Sequence, residues 1–305
     1  MSVLVKKAFL LLAFGGAASL SDVGPFVKRI LGKRPVADEF IKKAEDRYRL
    51  IGGISPLVGI TKDQAQAIRG ALARQGLTYM PYVGMRFSEP FIKDTVRDMK
   101  NHGIERAAAV IMSPFTSPAA TGGYVKDIED ALAECGGMAI DFIEGWHVDR
   151  LFIEAVLRRI KHGLKSLPQN DLEKTTVIFS FHSLPVDALR GDPYEDKIRR
   201  SVQEIVKSLD IDYKIAYQSK GGGGMPWLGP DAGAVIAGAA DEGRKAVLVV
   251  PLGFTSDHVE TLYDIDIVLK EIAEARGLMF KRTPSFNASE DFISLLSGLI
   301  KSKLA

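Results

Sequence analysis

Eight short apolar runs, separated by segments with helical periodicity, constrain the fold of this chain more than any other feature. The runs predict β-strands and the longer segments predict helices, an alternation typical of parallel sheets covered by helices on both faces. The predicted strands are Phe9–Phe14, Leu77–Val83, Arg106–Met112, Met138–Phe142, Thr176–Phe181, Tyr213–Tyr217, Ala246–Pro251 and Gly277–Lys281. The predicted helices include Asp63–Gln75, Phe91–Asn101, Tyr124–Glu134, Val148–Ser166, Asp196–Leu209, Ala232–Asp241 and Glu260–Arg276.

An internal repeat divides the chain into halves. The segment "RAAAVIMSPFTS" (Arg106–Ser117) resembles "RKAVLVVPLGFTS" (Arg244–Ser256), and each is a strand that enters a Phe-Thr-Ser loop. We therefore predict an α/β fold of two similar Rossmann-like lobes, each a parallel four-stranded sheet flanked by helices, with a ligand cleft between them. Residues 1–145 form the first predicted lobe and residues 146–305 the second. Whether the C-terminal helix packs back on the first lobe is left open.

The N-terminal segment "KKAFLLLAFGGAASL" (Lys6–Leu20) fits two interpretations. Two lysines, a short apolar run and small residues are typical of a secretory signal peptide. The same residues are typical of a buried first strand that enters a glycine-rich loop. The first interpretation exports the protein, and the second places the loop beside a binding site.

Charge and cysteine content argue against several classes of protein. The formal net charge is only +2, and no basic run indicates a nucleic-acid partner. The longest apolar stretch, Ala8–Phe14, is far shorter than the roughly 20 residues that span a bilayer. Cys135 is the only cysteine, so the chain forms no internal disulfide and cannot hold an iron–sulfur cluster by itself. These features favour a cytoplasmic protein.

The strongest chemical signals follow two of the predicted strands. His182 comes directly after the strand in "VIFSFHSLP", where open α/β sheets place functional groups. In "VPLGFTSDHVETLYDID", Asp257, Glu260 and Asp264 share one arc of a helix with about 100° per residue, and His258 lies among them. A histidine that faces such a carboxylate stripe suits a divalent metal such as Fe²⁺ and proton transfer, although three acids on a helix are also common on a solvated face.

The glycine-rich segments do not predict a nucleotide site. The loop "QSKGGGGMPWLGPD" (Gln218–Asp231) has its lysine before the glycines, unlike the phosphate loop G-x-x-x-x-G-K-[ST]. The "FGG" after the first strand is not G-x-G-x-x-G. We predict instead that the loop of residues 218–231 delivers Trp227, a large flat apolar surface.

Six motifs, in order along most of the chain, resemble those of ferrochelatases. They are "LLLAFGGAASLSDVGPFVKRIL", "YRLIGGISPL", "SFHSLP", "GDPY", "YQSK....MPWLGPD" and "VPLGFTSDHVETLYDID". Ferrochelatases insert Fe²⁺ into a porphyrin in haem synthesis. The resemblance implies a chelatase-type two-lobed fold in which "KKAFLLLAFGG" is the first strand and its glycine loop borders the porphyrin cleft. It also implies no cofactor beyond the substrate Fe²⁺, no iron–sulfur cluster and no nucleotide.

The resemblance assigns roles to individual residues. His182 and Glu260 would be catalytic, with a neutral His182 taking pyrrole protons, and both would bind the metal together with Asp264. Whether His182 mainly ligates the metal or mainly takes the proton is left open. Asp257 and His258 would support Glu260. The porphyrin would contact Phe14, Arg29, Ser55, Tyr124 and Trp227.

Three departures from the family pattern bear on the substrate. Family members often have a further acid one turn beyond Asp264, and here that position is Val268. Members that use coproporphyrin tend to have a tyrosine in the first loop, where this chain has Phe14. The family's "GGP" is "GGA" here, with Ala17 in place of proline. We expect protoporphyrin IX to be the substrate, with coproporphyrin III as the alternative. A cobalt chelatase and an exported tetrapyrrole- or metal-binding protein are further alternatives.

The expected partners are the porphyrin and ferrous iron, without nucleic acid. A transient contact with the inner membrane would use an apolar lip near the first loop, built from residues such as Phe26, Ile30 and Leu31. The enzyme would act as a monomer or a homodimer.

Overall fold

The computed structural model describes residues 6–222 and 224–305. Within these ranges, eight strands, ten α-helices and one π-helix follow one another. The strands are β1 (Lys7–Ala13), β2 (Met80–Met85), β3 (Arg106–Ile111), β4 (Ala139–Ile143), β5 (Thr175–His182), β6 (Asp212–Gln218), β7 (Ala246–Val250) and β8 (Met279–Arg282). The helices are α1 (Leu20–Leu31), α2 (Asp38–Leu50), α3 (Leu57–Ala73), α4 (Ile92–Asn101), α5 (Pro118–Cys135), α6 (Arg150–Lys165), α7 (Tyr194–Val206), α8 (Ala232–Asp241), the π-helix (Glu260–Leu269), α9 (Lys270–Ala275) and α10 (Glu290–Leu304). Every predicted strand is confirmed.

The chain forms two compact units. The first contains the described residues up to Thr116, Thr121–Gly145 and Asn287–Ala305, and the second contains Ser117–Ala120 and Trp146–Phe286. The last segment belongs to the first unit because α10 packs against α3, β3 and β4.

The first unit is built on a parallel sheet with strand order β2-β1-β3-β4. The segment that resembled a signal peptide is β1, which lies between β2 and β3. Its side chains from Ala8 to Leu12 are completely buried, and Leu10 and Leu12 pack against apolar residues of α4 and α5. The strand interpretation of this segment is therefore confirmed.

The second unit repeats the same strand order, as β6-β5-β7-β8, again with all strands parallel. Strands β3 and β7, which carry the internal repeat, occupy equivalent positions in their sheets. The core of the second unit is centred on α8, the π-helix and the strand residues Ile178, Val247 and Val249. The predicted pair of similar α/β lobes is confirmed.

The helices differ from the prediction in several places. Helix α2 was not predicted, α3 begins at Leu57 after Pro56, and α5 begins at Pro118. Proline suits the start of a helix because its missing N–H would have no partner there. The predicted helix over residues 260–276 is a π-helix followed by α9. Among the described residues, no helix has both the length and the apolar character that a membrane span requires.

Candidate active site

The predicted site residues fall into two groups, one in each unit. That the two groups share one cleft stays a prediction. The first group is Phe14, Arg29, Ser55 and Tyr124, and the second is His182, Trp227, Asp257, His258, Glu260 and Asp264.

The loop after β1 requires its two glycines. Gly15 has a φ of +96°, and a Cβ atom there would lie 2.5 Å from Ser88 Oγ. A Cβ atom at Gly16 would lie 2.5 Å from Ser55 Cβ. The Gly16 N–H also donates to Ser88 Oγ at 3.2 Å. The glycines thus let the backbone of this loop approach Ser55 and Ser88 closely.

Ala17, which departs from the family pattern, has a hydrogen-bonding role in the same loop. Its N–H donates to Tyr48 Oη at 3.2 Å, and its carbonyl accepts from the Ser55 N–H at 3.1 Å. Proline has no N–H, so it could not make the contact with Tyr48. The structure therefore gives a physical reason why this position is not proline.

A cavity of about 890 Å³ lies beside this loop in the first unit. The Arg29 side chain on its wall is held by α1 and donates from Nε to the Phe87 carbonyl at 2.6 Å. Its polar and charged lining residues include Arg29, Lys62, Ser55, Ser88, Asp22, Glu89 and Asp94. Cationic and hydroxyl groups of this kind can bind carboxylates, but the three acids beside them limit how many carboxylates the cavity favours.

Phe14 and Tyr124 are not among the side chains that line this cavity. Phe14 is 40% exposed and packs against the rings of Phe26 and Phe87, at centroid distances of 6.3 and 4.7 Å. Tyr124 is buried in the core on α5, with the Arg86 guanidinium over its ring, and burial raises its pKa. The predicted porphyrin contacts of these two residues stay predictions.

The second group is assembled where β5 ends. His182 is the last residue of β5, and the loop after β7 crosses that end. The Gly253 N–H donates to the Ser180 carbonyl at 3.1 Å, and a Cβ atom at Gly253 would lie 3.0 Å from Phe181 Cα. This close crossing places His258 and Glu260 beside His182.

Glu260 lies between two imidazoles. Its Oε1 is 3.4 Å from His182 Nε2, and its Oε2 is 3.8 Å from His258 Nε2. The Nδ1 atoms of the two histidines contact the carbonyl oxygens of Ser183 and Ser256, respectively. A carbonyl can only accept, so each Nδ1 carries a proton and each Nε2 is directed at the carboxylate.

The His182–Glu260 pair is charged at neutral pH. Burial is the largest single contribution to the pKa shift of each group, and it disfavours the charged form. The charge attraction and hydrogen bond between the two groups favour the charged forms and together exceed the effect of burial. The pKa of His182 is consequently raised and that of Glu260 lowered. This attraction favours a protonated His182 in the free enzyme, whereas the role implied by the sequence requires a neutral imidazole during the reaction.

Asp264 is held by the loop after β6. Its carboxylate accepts a hydrogen bond from Ser219 Oγ, and Ser219 adopts a left-handed backbone with φ of 58°. The neighbouring Gln218 Nε2 donates to the Glu260 carbonyl at 3.2 Å. A π-helix has i→i+5 hydrogen bonds and more than four residues per turn, so Glu260 and Asp264 still lie near one face. The last residue of β6 thus holds the backbone of Glu260, and the residue after it holds the carboxylate of Asp264.

Asp257 is not placed as the sequence predicted. Its Oδ1 accepts hydrogen bonds from Arg282 Nη1 at 3.1 Å and Ser285 Oγ at 2.7 Å, whereas His258 is the neighbour that faces Glu260. Asp257 precedes the π-helix and therefore does not share a helix face with Glu260 and Asp264. Within residues 6–222 and 224–305, no group of three or more His, Cys, Asp or Glu side chains is arranged to hold a metal ion. Metal binding by Asp264 with His182 and Glu260 stays a prediction.

Trp227 packs close to the loop that follows His182. It forms a β-bridge with Pro185, and the Leu228 N–H donates to the Leu184 carbonyl at 2.9 Å. A Cβ atom at Gly221 would lie 2.5 Å from its ring, so this glycine lets the loop backbone lie on the indole. That the loop presents Trp227 as a flat surface to the porphyrin stays a prediction.

Two residues of this region were missed as site residues. Tyr194 lies in the motif "GDPY", and its Oη donates to the His182 carbonyl at 3.2 Å while burial raises its pKa. Arg282 ends β8 and binds both Asp257 and Asp266. The detectable signal was position: Arg282 is a charged residue at the carboxyl end of a parallel strand.

Comparison with known proteins decides the family. A family model described as Ferrochelatase matches residues 6–304. The chain belongs to the ferrochelatase family. As a ferrochelatase it is a lyase that inserts metal into a porphyrin in haem biosynthesis. The predicted family is thus confirmed.

Curated relatives carry two names. The ferrochelatase of Deinococcus radiodurans is 35% identical over 302 residues, which cover 97% of this chain and 95% of that protein. The coproporphyrin III ferrochelatase of Bacillus subtilis is 32% identical over 304 residues, which cover 98% of each. These names leave the porphyrin used by this ferrochelatase between two candidates.

Solved structures support the fold. SirB from Bacillus subtilis with Fe³⁺ superposes with a TM-score of 0.61 at 13% identity, over 98% of this chain and 96% of that one. The sirohydrochlorin chelatase SirB of Bacillus subtilis subspecies spizizenii, in complex with cobalt, gives a TM-score of 0.58 at 12% identity, over 97% and 94%. At such identities the likeness shows a shared chelatase fold and no more.

Proposed function

We propose that this ferrochelatase inserts Fe²⁺ into protoporphyrin IX to give haem b and two protons. The observation that carries this choice is the charge balance of the cavity in the first unit. Arg29 and Lys62 line it beside three carboxylates, Asp22, Glu89 and Asp94. Protoporphyrin IX brings two propionates and coproporphyrin III brings four. Each additional propionate near these acids adds a like-charge repulsion.

Phe14 supports the same choice. The resemblance in sequence associates coproporphyrin use with a tyrosine in the first loop that can ligate iron. The Phe14 ring has no oxygen, and its neighbours are the apolar rings of Phe26 and Phe87. Coproporphyrin III is the second candidate, because the Bacillus subtilis relative named for it aligns with 98% of this chain.

Glu260 is the group that we assign to receive the metal. Its Oε2 is buried, and because His258 Nε2 lies 3.8 Å away, beyond hydrogen-bond distance, no described residue makes a hydrogen bond to it. A buried carboxylate oxygen without a donor is costly unless a cation or a donor arrives. Ferrous iron is the substrate that would satisfy it, with the charge of the metal balanced by the Glu260 carboxylate.

His182 is the group that we assign to take the pyrrole protons at Nε2. Two porphyrin N–H bonds must break as the metal–nitrogen bonds form. The charge of Glu260 keeps His182 protonated in the free enzyme, so a dication at Glu260 cancels that attraction and lowers the pKa of His182. The released proton leaves to solvent, to which 36% of the His182 side chain is exposed. The same atom can then accept the pyrrole protons one after the other.

Asp264 is the next carboxylate along the π-helix. We assign it to pass metal and protons between solvent and Glu260. Its hydrogen bond from Ser219 fixes one carboxylate oxygen and so holds its position. Asp264 therefore contributes to the supply of metal more than to the bond-making step.

We further propose that the enzyme works in the cytoplasm as a monomer or homodimer, without nucleotide, iron–sulfur cluster or nucleic acid. The absence of a phosphate-loop sequence supports the lack of a nucleotide, and the single cysteine supports the lack of an iron–sulfur cluster. A transient contact with the inner membrane would use exposed apolar side chains of the first unit, such as Phe14, Ile30 and Ile54. Phe26, which the sequence placed on that lip, is 5% exposed and belongs to the core instead.

The substrate is tested by anaerobic insertion of Fe²⁺ into each porphyrin by the purified enzyme without ATP. We expect a higher kcat/KM for protoporphyrin IX. Asp94→Asn removes one cavity carboxylate and should shift the ratio of the two kcat/KM values toward coproporphyrin III. Asp98→Asn on the same helix is the matched control, because Asp98 does not line the cavity. A wild-type preference for coproporphyrin III, with equal ratios for both variants, would refute the choice of protoporphyrin IX.

A further inference from the structure

We propose that Arg282 positions the catalytic segment and is required for metal insertion although it is itself no catalytic residue. It lies at the end of β8, and only 14% of its side chain is exposed. Every strong contact of its guanidinium goes to the segment that carries the site or to the loop behind it. The proposal rests on the roles proposed above for Glu260 and Asp264.

Arg282 binds both ends of the segment 257–266. Toward the later end it makes a two-pronged contact, with Nε 2.6 Å from Asp266 Oδ1 and Nη2 2.8 Å from Asp266 Oδ2. Toward the earlier end its Nη1 is 3.1 Å from Asp257 Oδ1. Glu260 and Asp264 lie between these two anchor points in the chain. One cation therefore fixes the length and direction of the segment that presents both acids.

The network around Arg282 is complete. Ser285 Oγ donates to Asp257 Oδ1 at 2.7 Å and lies 3.3 Å from Arg282 Nη1, and Nη1 also approaches the Thr283 carbonyl at 3.5 Å. A buried ion-pair network whose members all have partners is rigid, whereas removal of one member leaves a charge uncompensated. Ser285 and Thr283 thereby tie the guanidinium itself to the loop after β8.

The π-helix explains why such an anchor matters. This winding is rare and occurs mostly in single turns, often at functional sites, whereas here it continues over ten residues, Glu260–Leu269. Local helix geometry alone is a weak restraint on these residues, so contacts from outside the helix must define where Glu260 points. Arg282 makes two hydrogen bonds to a carboxylate within that helix, and the planar fork of arginine is needed for both.

The choice of residue gives the first test. Arg282→Lys keeps the charge and removes the two-pronged contact with Asp266. Loss of a residue that orients a ligating or reacting group typically lowers activity by about 10- to 100-fold. We therefore expect a decrease of that size in the kcat of the folded enzyme, together with a raised KM for Fe²⁺. Asp266→Asn, which keeps the shape of the partner, should act in the same direction and serves if Arg282→Lys does not fold.

Arg244→Lys is the matched control. Arg244 forms a comparable ion pair with Asp212 at 3.2 Å in the same unit, and it lies just before β7, at the sheet edge opposite to His182. Thermal unfolding of both variants measures the structural cost. If Arg282 had a structural role only, Arg282→Lys would lower Tm but leave kcat and the KM for Fe²⁺ of the folded enzyme at wild-type values, as in the control. That outcome would overturn the proposal.

A double variant separates this inference from the proposed function. If Arg282 acts through Glu260, Arg282→Lys should cause little further loss in a Glu260→Gln background. A full additional loss would overturn the proposed route through Glu260. If Glu260→Gln itself is fully active, the proposed role of Glu260 fails. If Glu260→Gln is inactive while Arg282→Lys keeps wild-type kcat and KM, the positioning role alone fails.

Discussion

Neutralising Glu260 should lower the pKa of His182 substantially. The carboxylate Oε1 lies 3.4 Å from His182 Nε2, and the attraction between them is what holds the imidazole proton against the cost of burial. Glu260→Gln keeps the shape of the side chain and removes its charge. Burial then acts on His182 with much less opposition, and the raised pKa should fall back toward its ordinary value of 6.5.

The size of this shift follows from the geometry. Two unit charges 3.4 Å apart attract by about 5 kcal/mol at an effective dielectric constant of about 20. Because 36% of the His182 side chain is exposed, screening by solvent reduces this to roughly 2 kcal/mol, which corresponds to about 1.5 pKa units. Asp264 is a smaller influence on His182, so Asp264→Asn should lower the pKa by less.

The assay is a pH titration of the histidine ring signals by nuclear magnetic resonance, with the His182 signal assigned by its loss in His182→Asn. Glu242→Gln is the control, because Glu242 pairs with Lys214 and Arg244 instead. The reasoning predicts the order Glu260→Gln, then Asp264→Asn, then the control, from the largest pKa decrease to none. A His182 pKa that is the same in Glu260→Gln and the wild type would refute it.

Further predictions concern the acids and pH. Glu260→Gln should reduce kcat severely, whereas Asp264→Asn should mainly raise the KM for Fe²⁺. Val268→Glu should lower the KM for Fe²⁺ because it extends the row of acidic side chains. Steady-state kinetics with varied Fe²⁺ concentration checks all three variants. Equal mild losses for the two acids, with no response at Val268, would mean that the stripe is only a solvated face. Because the pKa of His182 is raised by folding, its contribution to the free energy of unfolding is complete below pH 6.5 and is lost as pH rises. Because the pKa of Glu260 is lowered by folding, its contribution is complete above pH 4.5 and is lost as pH falls. The excess unfolding free energy of the wild type over Glu260→Gln should therefore be greatest between pH 4.5 and 6.5, as measured by chemical denaturation across pH; an excess that does not depend on pH would contradict the coupling.

The strands and the repeat could be predicted because their cause is local. Apolar runs bounded by polar and glycine residues bury themselves as parallel strands wherever they occur, and the similar runs ending near Met112 and Pro251 became equivalent strands. His182 and Glu260 could be predicted as partners for a related reason. His182 ends one strand of the sheet and Glu260 comes after another, and the carboxyl ends of parallel strands lie at one edge.

The remaining details depend on contacts between distant parts of the chain. An assumed 100° per residue placed Asp257 on a stripe with Glu260, but Asp257 precedes a π-helix and turns to Arg282, which is 25 positions away. The charge state of His182 depends on its exact distance from Glu260, which no spacing in sequence defines. Ala17 could be explained only after Tyr48 was found at its N–H.

The central claim is that His182 and Glu260 perform metal insertion, and single-turnover insertion of Fe²⁺ by His182→Ala tests it most directly. A positioned general base typically contributes about 10²- to 10⁴-fold to rate, so a loss in that range is expected at neutral pH. Circular dichroism should show wild-type secondary structure, because the His182 side chain lies at a strand end and is partly exposed. A folded His182→Ala enzyme that inserts Fe²⁺ at the wild-type rate would contradict the account.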